Sequence, residues 1–205
     1  MPDQGIPDPF QHPDAVRFGR TAVIAVVGDL LSQHADAVVF PANRRGVLGA
    51  ISTPGLIGLR SLGGSEIERE AMARAPLELG SAIVTGATGL ESRGVQHVVH
   101  AVVHRALGEP ARIEDVRRGI AATLVAADRA RVRALAIPPL GVDSGPGRIT
   151  PGPFFDALVE ETVAALRRST LRLDAVIVAC RFADHAEAVH DRFSRSRDRA
   201  WTTQR

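Results

Sequence analysis

The stretch ALAIPPLGVDSGPG, residues 134–147, joins a short apolar segment to a loop that contains three glycines. Residues 134–137 are all apolar, which is typical of a strand buried on both faces of a parallel sheet. Gly141, Gly145 and Gly147 then follow within seven residues, which is more than a simple turn requires. In open α/β sheets ligands bind beyond the carboxyl ends of strands, so this loop is a candidate binding segment. A flexible connection to the next helix would use the same residues.

Five further segments have similar runs of Val, Ile and Ala, which gives six predicted strands. They are TAVIAVV (21–27), AVVF (37–40), SAIVT (81–85), QHVVHAVV (96–103), ALAI (134–137) and AVIVA (175–179). Because continuous apolar strands are buried on both faces, helices must cover both sides of the sheet. The sequence therefore predicts an α/β fold, a three-layer α/β/α domain with a mixed, mostly parallel six-stranded sheet.

Four helices are predicted around these strands. Ser65 and Glu68 have the spacing of a capping box at the start of SEIEREAMARA, residues 65–75. Apolar residues at helical spacing indicate a second helix over about 112–131, and a third that begins near Pro151 or Pro153. A short fourth helix is predicted over about 184–193.

Length and composition indicate one domain with two short extensions. The chain has 205 residues and a hydrophobic content of 45%, which is enough for one sizeable core. We predict that residues 1–19 form an irregular N-terminal arm, that residues 20–193 form the folded domain, and that residues 194–205 form a flexible tail. The sequence contains no secretory signal and no membrane-spanning run, so we expect a cytoplasmic protein.

All 25 basic residues are arginines, and the formal net charge is +2. Without lysine, the chain cannot use a lysine nucleophile, a Schiff base or the P-loop motif. No G-x-G-x-x-G follows the first strand, which disfavours hydride transfer on a Rossmann domain. Cys180 is the single cysteine, so an intramolecular disulfide and a cysteine-based zinc cluster are excluded.

Three histidines in and just after the fourth strand segment, His97, His100 and His104, are candidate metal ligands. Alternation along a strand places His97 and His100 on opposite faces, and His100 and His104 are too far apart for an easy shared zinc site. We therefore predict structural or hydrogen-bonded histidines, no bound metal and no cofactor.

The order of several motifs resembles that of macro domains, which are ADP-ribose-binding modules. VVGDLLSQHADAVVFPAN (26–43) resembles the family's opening, in which a Gly-Asp-Ile or similar triplet leads to a strand that ends in Asn-Ala-Ala-Asn. The resemblance continues through 63–85, 94–103 and 135–147, and so spans about residues 20–193. It implies binding of ADP-ribose or a related adenine diphosphate nucleotide, free or attached to a protein or nucleic acid.

The resemblance also implies roles for individual residues. Asp29 matches the acidic residue that accepts a hydrogen bond from the adenine amino group, with the backbone of Leu30 nearby. Asn43 matches the asparagine that contacts the distal ribose. From the residues alone, Asp29 is as well explained as a helix N-cap and Asn43 as a turn residue. Phe182 lies near the family's adenine-stacking position, while a place in the core remains the alternative.

Two glycine-rich loops are expected to clasp the diphosphate and distal ribose through their main chains. The residues assigned to them are Gly55, Gly58, Gly141, Val142, Asp143, Ser144, Gly145, Pro146 and Gly147.

The segment that follows Asn43 departs from the family pattern. It is longer than the family's glycine run, spreads its glycines out and contains Arg44 and Arg45. It also lacks the Asp or Lys that often orients the attacking water in family hydrolases, so no general base is evident. Asp143 is a candidate base or a turn residue.

Hydrolysis of an ADP-ribosyl ester, with Asn43 positioning the ribose, is the alternative function. A degenerate fold that binds nucleic acid or a protein partner is a third.

Overall fold

The computed structural model describes residues 12–48, 56–142, 149–168 and 171–202. Seven strands form one sheet: β1 (Val16–Phe18), β2 (Thr21–Val27), β3 (Ala37–Asn43), β4 (Ala82–Gly86), β5 (His97–His104), β6 (Ala134–Ile137) and β7 (Ala175–Cys180). The helices are α1 (Leu56–Gly63), α2 (Glu66–Met72), α3 (Ile113–Arg129), α4 (Pro151–Arg168) and α5 (Ala183–Thr202). Short 3₁₀ turns occupy Leu30–Ser32 and Glu91–Arg93.

The strand order in the sheet is β1-β2-β7-β6-β3-β5-β4. The five central strands, β2, β7, β6, β3 and β5, run parallel, and the two edge strands run antiparallel to their neighbours. Helices cover both faces of this sheet. One face packs against α3, α4 and α5, and the other packs against α1, α2 and the Leu30–Ser32 turn. The predicted three-layer α/β/α architecture with a mixed, mostly parallel sheet is confirmed.

The sheet has seven strands rather than six. The additional strand is β1, which lies within the segment predicted to be an irregular arm. Val16 is 2% exposed and pairs with Val23 of β2, so tertiary burial stabilises a strand of only three residues. A segment this short between proline and glycine carries too little periodicity to be recognised in the sequence.

The predicted capping box is not formed. Ser65 has helical backbone angles and makes no side-chain capping hydrogen bond. Glu68 instead accepts hydrogen bonds from Leu48 N at 3.0 Å and from Arg60 at 3.4 Å. Helix α1 ends at Gly63, immediately before α2. The Glu68 carboxylate therefore links α2 to α1 through Arg60, and to the segment after β3 through Leu48 N.

The C-terminal helix is longer than predicted. The sequence predicts that it ends near 193 and that a flexible tail follows, but α5 continues to Thr202. Phe193, which is 1% exposed, anchors the helix by packing edge-on against Phe18, with ring centroids 6.1 Å apart. Since residues 194–202 contain neither Gly nor Pro, extending the anchored helix costs little.

In the described parts of the chain, no helix is both long and apolar enough to cross a membrane.

Candidate functional site

The sheet is split at its carboxyl edge between β6 and β3. These strands pair only at Ala37 with Leu135 and at Val38 with Ala136, after which β3 continues to Asn43. Pro41 lies in this continuation and has no N–H group to donate to a neighbouring strand. The chain leaves β3 toward α1 and α2 on one face, and leaves β6 toward α4 on the other. Such a topological switch point produces a crevice beyond the strand ends, where ligands of open α/β sheets bind.

The strand order sets the sequence of residues along this edge. Asp29 follows β2, Phe182 follows β7, Gly141 follows β6, and Asn43 ends β3. Neighbouring strands lie about 4.8 Å apart, so the tips of β2 and β3 are separated by about 14 Å. Four of the predicted site residues are therefore brought to one edge of the sheet, in a defined order.

Asp29 both caps a turn and keeps acceptor capacity. Its Oδ1 accepts a hydrogen bond from Leu31 N at 2.8 Å, which makes it the N-cap of the Leu30–Ser32 turn. No described residue donates to Oδ2, and the side chain is exposed. The capping interpretation of Asp29 is confirmed, and the geometry leaves one carboxylate oxygen for a ligand donor.

Phe182 is a surface residue. Its side chain is 51% exposed, so the alternative that it belongs to the core is wrong. The Arg181 guanidinium carbon lies 5.6 Å from the ring centroid, and the His185 ring packs edge-on at 5.3 Å. Val27, at the tip of the neighbouring β2, is 55% exposed. Phe182 and Val27 therefore provide an exposed apolar surface at the β2–β7 end of the edge, beside the cationic side chain of Arg181.

Asn43 is almost completely buried, at 2% exposed, and holds the turn that follows β3. Its Oδ1 accepts hydrogen bonds from Arg45 N at 2.9 Å and from Val47 N at 3.2 Å. The side-chain oxygen is thereby committed to the protein, which leaves the Nδ2 donor for a ligand. The turn interpretation of Asn43 is confirmed, and it is compatible with a binding role.

The first glycine-rich segment differs from the predicted loop because α1 forms within it. Gly58 lies in this helix, where an added Cβ would approach Leu31 Cδ1 to 3.0 Å. Its lack of a side chain therefore allows α1 to pack against the Leu30–Ser32 turn. Gly55 lies outside the described residues.

The second glycine-rich segment is described only up to Val142. Gly141 has a φ of +77°, and an added Cβ would lie 2.8 Å from Ala111 Cβ. Glycine is needed at this position for the left-handed turn and for the close contact with Ala111. The sequence did not indicate this structural reason. Val142 is 6% exposed and packs in the same core. Asp143, Ser144, Gly145, Pro146 and Gly147 lie outside the described residues.

His104 is a residue of interest that the sequence analysis placed only in a metal hypothesis. A register shift between Ala42 and Asn43 sets His104 opposite Asn43, at the ends of β5 and β3. Its Nδ1 lies 3.0 Å from the Glu109 carbonyl oxygen, so Nδ1 carries the hydrogen and donates it to that carbonyl. Burial lowers the pKa of His104 despite an opposing effect of this hydrogen bond, which favours the neutral form of the ring.

His100 has a structural role inside the sheet. It is fully buried, and its Nε2 lies 2.9 Å from Thr85 Oγ1 on β4. Burial, together with the positive charge of Arg74, lowers its pKa to about 4. No group of three or more possible metal ligands occurs within the described ranges.

Comparison with known proteins identifies relatives of this chain. The family model described as Macro domain matches residues 39–146. An uncharacterized protein from Aquifex aeolicus is 37% identical over 136 residues, which is 66% of this chain and 78% of that protein. An uncharacterized protein from Mycobacterium tuberculosis is 32% identical over 172 residues, and the chain spans only 42% of its length.

Solved structures share the fold at low sequence identity. A mutant macrodomain from Oceanobacillus iheyensis with ADPR has a TM-score of 0.71 at 13% identity, with 88% of this chain and 96% of that chain covered. A Trypanosoma brucei macrodomain in complex with ADP-ribose has a TM-score of 0.65 at 20% identity, with 84% and 68% covered.

Proposed function

The chain belongs to the Macro domain family, and we propose on this basis that it binds ADP-ribose or a related adenine diphosphate nucleotide. The observation that carries the proposal is the order of groups along the carboxyl edge. A carboxylate oxygen and an exposed aromatic ring lie at the β2–β7 end, the β6–β3 split follows, and the Asn43 amide lies beyond it. This order corresponds to adenine, diphosphate and distal ribose.

Adenine is assigned to the β2–β7 end. Asp29 Oδ2 accepts a hydrogen bond from the 6-amino group, and a carboxylate is a strong acceptor for this donor. The exposed ring of Phe182 and the side chain of Val27 supply the apolar surface that a purine face requires. The diphosphate lies across the β6–β3 split, between Gly141, which follows β6, and the turn after Asn43.

The assignment of Asp29 predicts a specific loss in Asp29→Asn. Asparagine keeps the side-chain oxygen that caps Leu31 N, but it places an N–H₂ group opposite the adenine amino group. We expect affinity for ADP-ribose to fall about tenfold or more, since a hydrogen bond to a charged group contributes about 1.5–3 kcal/mol. Isothermal titration calorimetry measures this change.

Inosine diphosphate ribose tests the contact with the 6-amino group directly, because in this ligand a carbonyl replaces that group. The wild-type protein should prefer ADP-ribose by about tenfold, and Asp29→Asn should lose that preference. Asp191→Asn, an exposed carboxylate on α5, is the matched control and should bind like the wild type. Equal affinities of Asp29→Asn and wild type for ADP-ribose would reject the role of Asp29. Absence of wild-type binding at millimolar ADP-ribose, with adenosine as a reference ligand, would reject the function.

Hydrolysis of an ADP-ribosyl ester is a second candidate function, favoured by the position of His104 opposite Asn43. Water would attack the ester carbonyl carbon, the bond to the ribose oxygen would break, and the acid and ADP-ribose would be released. We propose His104 as the proton acceptor, because imidazole is the most common general base and this residue ends β5 opposite Asn43. The roles of Asn43 and Asp143 in such a reaction stay predictions.

Turnover of O-acetyl-ADP-ribose by the wild type and His104→Gln tests this candidate. We expect the variant to lose about 100-fold in kcat, a typical contribution of a general base, with little change in binding. Wild-type turnover should stay constant down to about pH 6.5, the ordinary pKa of imidazole, and decrease only below it because the folded-state pKa is lowered. Turnover no faster than in buffer would reject hydrolysis while leaving ADP-ribose binding unaffected.

A further inference from the structure

Arginines are concentrated at the amino edge of the sheet, opposite the candidate nucleotide site. The connections that lead into β2, β6 and β7, together with the last turns of α3 and α4, place seven exposed arginines there. We call this set the arginine edge: Arg20, Arg129, Arg131, Arg133, Arg167, Arg168 and Arg172. The parallel strands β2, β7 and β6 are neighbours in the sheet, so the three connections lie side by side.

The carboxylates at this edge are already occupied within the protein. Asp174, which is 8% exposed, pairs with both Arg20 and Arg133. Asp36 accepts hydrogen bonds from the backbone amides of Arg133 and Ala134, at 2.9 and 2.6 Å. Asp128 accepts from Arg172 N at 2.7 Å. Among the described residues of these connections and helix ends, three carboxylates thus oppose the seven arginines, and the arginine edge carries a net positive charge.

The paired arginines remain accessible to a partner. The side chains of Arg20, Arg133 and Arg172 are 59%, 71% and 65% exposed, even though each makes an ion pair. A guanidinium has five donors in a planar fork, so one carboxylate does not use them all. Donors on these side chains can therefore still contact a second anion.

Arg131 is an exception to the rules of helix termination. It has a φ of +59°, in the left-handed region where glycine or asparagine is normally found. The backbone bonds from Arg131 N to Asp128 O and from Val132 N to Ala127 O form a Schellman motif, with Arg131 at its left-handed position. An arginine here is less stable than a glycine. Positions where a residue contradicts its backbone conformation often have a functional reason, and here the residue adds one more exposed positive charge.

We propose that the arginine edge binds the phosphodiester backbone of a nucleic acid duplex. Guanidinium groups contact phosphate oxygens in a bidentate manner, and a duplex presents phosphates at regular spacing on a rigid surface. Single strands are usually held by stacking on exposed aromatic rings, and the described residues of this edge expose none. The contacts are to backbone only, so binding is independent of base sequence.

Fluorescence anisotropy with a labelled 20-base-pair DNA duplex tests the proposal. With about four unopposed positive charges, the plot of log K against log salt concentration should have a slope of about −3 to −4. Arg167→Gln combined with Arg168→Gln should weaken binding about tenfold at 100 mM salt and reduce the slope by about 2. Arg93→Gln removes an exposed arginine before β5, two strands from β6, and should bind within twofold of the wild type.

Arg131→Gly separates folding from binding. Glycine relieves the left-handed conformation, so the melting temperature should rise by about 2–4 °C. Affinity for the duplex should nevertheless decrease, and the salt slope should become shallower by about 1. Higher stability with unchanged duplex affinity would show that Arg131 is not part of the binding surface.

Competing ligands define the class of partner. An RNA duplex that binds as well as DNA supports a surface for duplex phosphates, and a single strand of equal length should bind more weakly. Saturating ADP-ribose should leave duplex affinity unchanged, because strands of about six residues separate the two edges by about 20 Å. No wild-type binding at 50 mM salt would overturn the proposal. Displacement of the duplex by polyglutamate at equal charge concentration would also overturn it, in favour of an acidic protein partner.

Discussion

Gly141→Ala should lower the free energy of unfolding by about 3 kcal/mol. A left-handed conformation costs a non-glycine residue about 1–2 kcal/mol, and the added Cβ would overlap with Ala111 Cβ at 2.8 Å, where overpacking costs about 1–3 kcal/mol. Ala111 has no flexible side chain that can move away. Thermal unfolding measures the effect, which corresponds to a decrease in melting temperature of about 6–12 °C for a chain of this size.

Gly108→Ala is the matched control for Gly141→Ala. Gly108 has a φ of +81°, but no atom lies within 4 Å of an added Cβ, so only the conformational cost of about 1 kcal/mol remains. The difference between the two variants measures the contact with α3 and its preceding segment. If glycine were required at position 141 only for ligand binding, Gly141→Ala would have the same stability as Gly108→Ala and would lose affinity for ADP-ribose.

Asn43→Ala should reduce both stability and ligand affinity. It removes the oxygen that accepts from Arg45 N and Val47 N, and each unsatisfied amide costs about 1–3 kcal/mol. The turn after β3 would loosen, and the Nδ2 donor would be lost with it. We expect a loss of about 2–4 kcal/mol in unfolding free energy by urea denaturation, and at least a hundredfold loss in affinity for ADP-ribose at a temperature where the variant is folded.

Asn43→Asp separates these two effects. The carboxylate still accepts from both amides, so the loss of stability should be smaller than in Asn43→Ala, and the burial of its charge is the remaining cost. A negative charge at this position repels a diphosphate, and affinity should fall about tenfold. If Asn43→Ala binds ADP-ribose like the wild type once folded, Asn43 serves only the turn, and the assignment of the distal ribose to this end of the edge is wrong.

Some of the candidate site was accessible from the sequence because it depends on local order. The resemblance to macro domains implies roles for Asp29, Asn43 and Phe182, and each lies shortly after a predicted strand, so parallel strands bring them to one edge. The six strand segments and the helices over 113–129 and 151–168 were recognised because buried runs and helical spacing are written in consecutive residues.

Other features of the site required long-range packing. Gly58 appeared to belong to a ligand loop, but it lies in α1 and fits against Leu31, which is 27 positions earlier in the chain. His104 became a site residue only because a register shift sets it opposite Asn43. Pattern and composition contain no information about such contacts, since the partners are distant in sequence.

The sequence by itself determined the alternation of helices and strands, the burial of the sheet between two helical layers and the residues that end several strands. Only the tertiary structure decided that β6 and β3 separate at their carboxyl ends, that Gly141 is bare because it packs near Ala111, and that seven arginines share the opposite edge. The physical reason is that hydrophobic periodicity is a local property of the chain. Which strands become neighbours, and which side chains then meet, depends on the packing of the whole sheet.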